Sequence, residues 1–228
     1  MTAEGPLGVG AVYIPDLHTL FASEPDLLTV LEVEPQTLWT QRDFGEQPYV
    51  YDSAFLARIA ALPQNKLVHG VGFPVGGSRQ PDPRHVGPLT KFIDTLDAVW
   101  ASEHLAFNRA AGDPGPYDTG FLLPPLQTEA GIDAAVRSIL SVQQYLPVPF
   151  AIETGVNYLR RREWEIEDAA FVTAVAERAD CGILLDLHNI WTNEVNGRQP
   201  ATQFMAGLPL DRVWEIHVAG GMMVDGYW

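Results

Sequence analysis

The sequence predicts an α/β fold of the TIM-barrel-like (β/α) type, and three observations carry that expectation. Short apolar runs alternate with amphipathic stretches along the whole chain. Most of the runs are continuous rather than alternating, as strands buried on both faces of a parallel sheet require. Residues able to bear chemistry recur at the ends of several different runs, which favours a barrel over an open sheet with one switch point. No Gly-x-Gly-x-x-Gly turn follows the first strand, so a dinucleotide-binding sheet has no support.

Strands are expected over residues 7–14, 28–33, 66–72, 98–105, 149–153, 182–188 and 212–218. Between them, Ile132, Ala135, Val136, Ile139, Leu140 and Gln143 have the three-four spacing of an amphipathic helix. Val172, Val175, Ala176 and Ala179 repeat it, with Asp168 placed to favour the helix N-terminus. Ser53 is expected to cap a helix over 54–62 that Pro63 ends. Helical patterning also covers 16–22, 85–96 and 202–208. The segments 107–128 and 39–51 read as long irregular loops leaving strand C-termini, the first of them placed to act as a lid. A complete barrel needs eight strands, and seven are visible, so an eighth strand and the last helices are expected to be missing. Residues 1–228 are read as one incomplete barrel domain.

Composition narrows the function classes. With 46% apolar and 19% charged residues, the 228-residue chain can bury a sizeable core. The net charge of −15, from 14 basic and 29 acidic residues, argues against nucleic acid and anionic membranes, which demand Lys and Arg. The one basic run, Arg160-Arg161-Arg162, is followed by Glu163, Glu165, Glu167 and Asp168 and reads as a solvated loop. A single cysteine, Cys181, excludes an internal disulfide and reads as a small core residue at a strand start. No signal peptide or membrane span is visible, so a cytoplasmic setting is expected.

The chemistry lies at the strand ends. Four of the six histidines, His69, His104, His188 and His217, fall near the C-termini of successive expected strands, interleaved with Glu153 and Asp186. Side chains two apart on a strand share a face, so Asp186 and His188 aim together, as do Glu215 and His217. Packing alone does not gather such groups at one end, because buried charge is costly when unpaired. Imidazoles and carboxylates together suit divalent zinc, iron or manganese. Glu153, central in strand order, sits where a bridging carboxylate is expected, and Glu153, Asp186 and His217 are the candidate catalytic set. His18 and His85, at helix starts, read as surface residues.

The segments Leu31-Glu32-Val33, His69-Gly70-Val71-Gly72, Ser102-Glu103-His104-Leu105, Leu122-Leu123-Pro124, Leu184-Leu185-Asp186 and Glu215-Ile216-His217-Val218-Ala219-Gly220 resemble a known family. It is the multinuclear non-haem iron-dependent oxidative enzyme family, typified by the methanobactin-biosynthesis oxidase. The resemblance implies a TIM barrel holding two or three irons, dioxygen as co-substrate, and a cysteine-containing ribosomal peptide as substrate, usually delivered by a separate partner protein. It further implies that His69, His104, Glu153, Asp186 and His217 are metal ligands. The chain departs from the family pattern at Thr154-Gly155, where Asn-Pro is usual, and at His188, where Asn is usual. It departs again at Pro35-Gln36-Thr37, where Pro-Glu-Asn is typical, and at Gly221, where a histidine is common. Three other readings remain: a xylose-isomerase-like sugar isomerase or epimerase, an endonuclease-type zinc phosphoesterase, and a non-catalytic, degenerate barrel. The isomerase requires a lysine near the metals, and only Lys66 and Lys91 exist.

The aromatics Trp39, Tyr49, Tyr51, Phe107, Tyr117 and Trp191 fall in or beside segments that leave strand ends. They are expected either to form a peptide-binding rim or to pack those segments down.

Overall fold

The protein is described by a computed structural model covering residues 5–41, 49–78, 82–113, 115 and 117–220. In chain order the elements are β1 (Gly10–Val12), α1 (His18–Ser23), β2 (Val30–Val33), β3 (Trp39–Gln41), β4 (Tyr49–Tyr51), α2 (Ser53–Ala60), β5 (Asn65–Gly70) and α3 (Pro83–Leu96). There follow β6 (Ala101–His104), β7 (Phe107–Ala110), β8 (Tyr117–Leu123), α4 (Glu129–Gln143), β9 (Phe150–Glu153), α5 (Asp168–Ala179), β10 (Gly182–Asp186), α6 (Leu187–Val195), α7 (Ala201–Ala206) and β11 (Val213–His217). Each of the seven expected strands has a counterpart: β1, β2, β5, β6, β9, β10 and β11. Among the described residues, no helix is long and apolar enough to cross a membrane.

The chain divides into two compact units. Unit one comprises Met1–Phe73, Asp82–Glu103 and Val142–Phe150; unit two comprises Pro74–Pro81, His104–Ser141 and Ala151–Trp228.

In unit one, β1 pairs β2, β2 pairs β5 and β5 pairs β6, all parallel. Every residue of β2 is buried, which is why the run Val30-Leu31-Glu32-Val33 shows no alternation. Leu31, Leu56, Ile59, Val68, Leu89, Phe92 and Ile93 form its core, with α2 against α3. The cap of α2 is Asp52, one residue before the expected Ser53; its carboxylate accepts from the Ala54 and Phe55 N–H groups at 2.9 and 3.1 Å. Asp is as good an N-cap as Ser, and here the carboxylate reaches two otherwise orphaned donors.

In unit two, β10 lies between β9 and β11, again parallel. Ile132, Ile139, Ile152, Phe171, Val175, Ile183 and Ile190 are fully buried around them. Helix α5 ends at Asp180, which adopts the left-handed conformation (φ 48°) and turns the chain into β10. Cys181, at that turn, is buried, and burial pushes its thiol up to about 12, as an inert core residue should be.

Three further expectations need correction. Residues 107–128 are not irregular throughout, since β7 and β8 pair as an antiparallel hairpin, with residues 114 and 116 outside the described set. Residues 39–51 likewise include the antiparallel pair β3–β4, flanking residues 42–48, which lie outside it. The strand expected over 182–188 stops at Asp186, and Leu187 opens α6.

Candidate metal centre

Three strands of unit two deliver three donors to one face. Glu153, Asp186 and His217 are the final residues of β9, β10 and β11. In register, Glu153 pairs with Leu184, and Asp186, two residues on, pairs with His217. Partners in a parallel ladder share a face and so do residues two apart, which places all three side chains together. Their ligand atoms lie within 4.8 Å of one another. His217 Nδ1 is 4.0 Å from Asp186 Oδ2, and its Nε2 is 3.5 Å from Oε1 of Glu215, one layer deeper.

His104, the last residue of β6, adds a fourth donor, with Nε2 3.0 Å from Glu153 Oε2. The backbone holds this contact in place: the Leu105 N–H donates to the Glu153 carbonyl at 3.1 Å, and the Val75 N–H to the His104 carbonyl at 3.0 Å.

The carboxylates are positioned by their neighbours. The Asp186 N–H donates to Thr154 Oγ1 at 3.0 Å, while Asp186 Oδ1 caps α6 by accepting from the Asn189 N–H at 2.8 Å. The Asn189 side-chain amide donates to Glu153 Oε1 at 3.3 Å and to the Thr154 carbonyl at 3.0 Å. Burial holds the Asp186 carboxyl above its ordinary range, opposed by the Asn189 N–H; the Glu153 charge raises it further, while His217 and His188 lower it. Two carboxylates and two imidazoles sharing a buried face suit a divalent cation, whose charge offsets this burial cost and whose N/O preference they match.

His188 is not in that group. Because β10 gives way to α6 at Asp186, the two-residue periodicity no longer applies, and the half-buried His188 turns toward Trp191, with ring centroids 6.2 Å apart. Asn189, three residues after the capping aspartate, takes the inward position instead. Sequence reasoning missed Asn189 and Thr154; the signal available was an aspartate starting a helical rather than a strand-like pattern.

His69 belongs to unit one, where it pairs in register with Ser102, its buried Nδ1 2.8 Å from Ser102 Oγ. Nearby, Glu103 accepts from the Phe73 N–H at 3.1 Å. Lys66 and Lys91 are also in unit one. Lys66 is buried at the start of β5, where burial lowers its pKa, and its Nζ donates to the Leu62 and Gln64 carbonyls at 2.5 Å each.

His18 and His85, expected on the surface, are half-buried. His18 Nδ1 lies 3.0 Å from the Tyr13 hydroxyl, and His85 packs against Tyr49 with ring centroids 4.2 Å apart. Trp39, Tyr49 and Tyr51 pack in unit one, Tyr51 edge-on to Phe92 at 4.9 Å; Tyr117 and Trp191 of unit two are exposed.

Parallel strands alternating with helices, with donors at the strand C-termini, define a TIM-barrel-like β/α protein with a candidate metal centre. The chain belongs to the RiPP precursor modification enzyme family MbnB/TglH/ChrH, whose family profile matches residues 17–227. It is 32% identical over 222 residues to a UPF0276 protein of Chromobacterium violaceum, covering 93% of this chain and 77% of that protein. It is 31% identical over 176 residues to a UPF0276 protein of Streptomyces avermitilis, covering 76% of this chain and only 36% of that one. Among solved structures, the 3-keto-D-glucoside 4-epimerase YcjR of E. coli is similar in fold, with a TM-score of 0.57 at 10% identity, covering 92% of this chain and 78% of that one. Endonuclease IV of Thermus thermophilus gives 0.51 at 10% identity, covering 91% and 74%. At such identities the likeness is one of fold alone.

Proposed function

We infer that this protein is an iron-dependent oxidase that modifies a cysteine-containing ribosomal peptide, with dioxygen as co-substrate and a separate protein delivering the peptide. The observation that carries the reading is the meeting of Glu153, Asp186 and His217, with His104 beside Glu153, in one unit of a chain from a peptide-modifying family.

Glu153, Asp186, His217 and His104 would hold the metal, and the donor set fits: oxygen and imidazole nitrogen, with no thiolate, suit ferrous iron. Iron, when bound, supplies Lewis acidity and the redox chemistry of dioxygen. The protein's own part is orientation. Asn189 fixes the Glu153 carboxylate while Thr154 and the α6 N-terminus fix Asp186, so neither has to reorganise when a substrate arrives. His104 Nε2 lies beside Glu153 and His217 Nδ1 faces Asp186, so each imidazole is aimed at one of the two carboxylates.

An isomerase would use the same donors with a lysine beside them. Lys66, at the start of β5, is tied to two backbone carbonyls, which favours the oxidative reading.

The test is anaerobic purification, reconstitution with ferrous iron, elemental analysis and measurement of dioxygen uptake with a cysteine-containing peptide. Stoichiometric iron, lost in Glu153→Gln, and peptide-dependent uptake are expected. A folded protein that retains no transition metal, or one active with zinc and silent to dioxygen, overturns the reading.

A further inference from the structure

Unit two contains a cavity of about 230 Å³ that shares His104, Thr154 and Asn189 with the candidate metal centre. Its walls are mostly apolar, formed by Leu105, Ala106, Leu122, Val156, Phe171 and Phe204. Tyr158 stands at its rim, exposed and edge-to-face with the exposed Phe121 at 6.2 Å.

Apart from Tyr158 at the rim, the polar side chains on its walls are bonded to protein partners. Gln127 donates to Asp168 at 2.6 Å, and both accept from the guanidinium of the buried Arg198. Asn193 accepts from the Asn157 N–H at 2.6 Å and donates to the Gly155 carbonyl at 3.0 Å. Asn189 is occupied by Glu153 and Thr154, and His104 by Glu153. A polar occupant would strip water from its own groups and find few free partners, whereas an apolar one would give up nothing.

The space is large enough to matter. An apolar cavity of about 150 Å³ accepts benzene, so this one accommodates a larger ring system such as indole. Gly155 leaves it open at the centre's edge, for a Cβ added there would meet only the Leu105 carbonyl, at 3.9 Å.

We propose that this cavity is a specificity subsite that takes a large apolar side chain of the substrate peptide, beside the residue being modified. The peptide part rests on the function proposed above; the apolar preference rests on the cavity alone.

The test uses the full chain incubated anaerobically with ferrous iron, and 5-fluoroindole as probe. Binding is read by fluorine NMR and iron by elemental analysis of the same samples. The expected result is saturable binding weakened at least about tenfold in Leu122→Trp, which fills the cavity from its half-buried wall, and about threefold in Gly155→Ala. N-acetylphenylalaninamide should displace the probe and N-acetylserinamide should not. No saturable binding, equal binding to the variants, or equal displacement by both amides overturns the subsite. Iron binding without probe binding therefore sinks the subsite alone. Probe binding without iron sinks the metal reading and leaves the cavity's apolar preference supported.

Discussion

Asn189 shows how one side chain can govern a site it does not complete. Its backbone N–H caps α6 through Asp186, and its amide bonds Glu153 and the Thr154 carbonyl, so one residue orients both carboxylates. Asn189→Leu keeps the volume and removes the amide donor. Loss of such an outer partner lowers metal affinity by about 10–100-fold. Titration against a competing chelator checks this, with circular dichroism confirming the fold; unchanged affinity would remove Asn189 from the site. At the same scale, the alignment of Glu153, Asp186 and His217 was legible in the sequence, because each ends an apolar run and strand periodicity is simple. Strand periodicity would set His188 on the same face as Asp186, but the backbone leaves the strand at Asp186, and the apolar run Gly182–Leu185 does not mark the switch.

At the scale of elements, helix ends account for much of what the sequence could show. Helix α3 is capped by Asp82, whose carboxylate accepts from the Arg84 N–H at 2.9 Å and pairs with its guanidinium at 2.6 Å. The Arg84 side-chain bonds hold the Asp82 carboxyl down at about 2, with burial opposing them. A carboxyl whose folded pKa lies below its unfolded value of about 3.9 stabilises the fold above that value, and the contribution is lost as pH falls toward about 2. Asp82→Asn should therefore flatten part of the acid limb between about pH 4 and 2 and change little of the slope at neutral pH, as followed by urea unfolding across pH. Arg84 is exposed and Asp82 only half-buried, so solvent screening keeps the effect small. The β7–β8 hairpin lacks any such local mark. Its strands carry polar residues and a glycine, Asn108, Arg109, Asp118 and Gly120, with little apolar alternation, and only the cross-strand pairing reveals them.

On the scale of the whole molecule, each unit has its own core, and unit two also has a buried charged hub. Arg198 joins Asp168, Glu165, Gln127 and the Leu159 carbonyl, groups separated by up to 71 residues. Its side chain is 1% exposed. Arg198→Met leaves the Asp168 charge buried without its cation, and breaking such a pair costs roughly 3–5 kcal/mol. Adding Asp168→Leu should recover part of that loss, since removing both charges leaves neither stranded. Urea denaturation of the single and double variants measures both; an Arg198→Met change within experimental error would show that the hub contributes little.

The sequence by itself determined the alternation of strands and helices, the parallel character of the sheet and the identity of the strand-end donors, because these follow from local periodicity and composition. Tertiary structure decided which donors meet. Register along β9, β10 and β11 set Glu153, Asp186 and His217 on one face, the strand-to-helix switch exchanged His188 for Asn189, and distant polar residues bonded to each other and left an apolar cavity beside the centre. Those outcomes depend on distances between segments far apart in the chain, which no local pattern encodes.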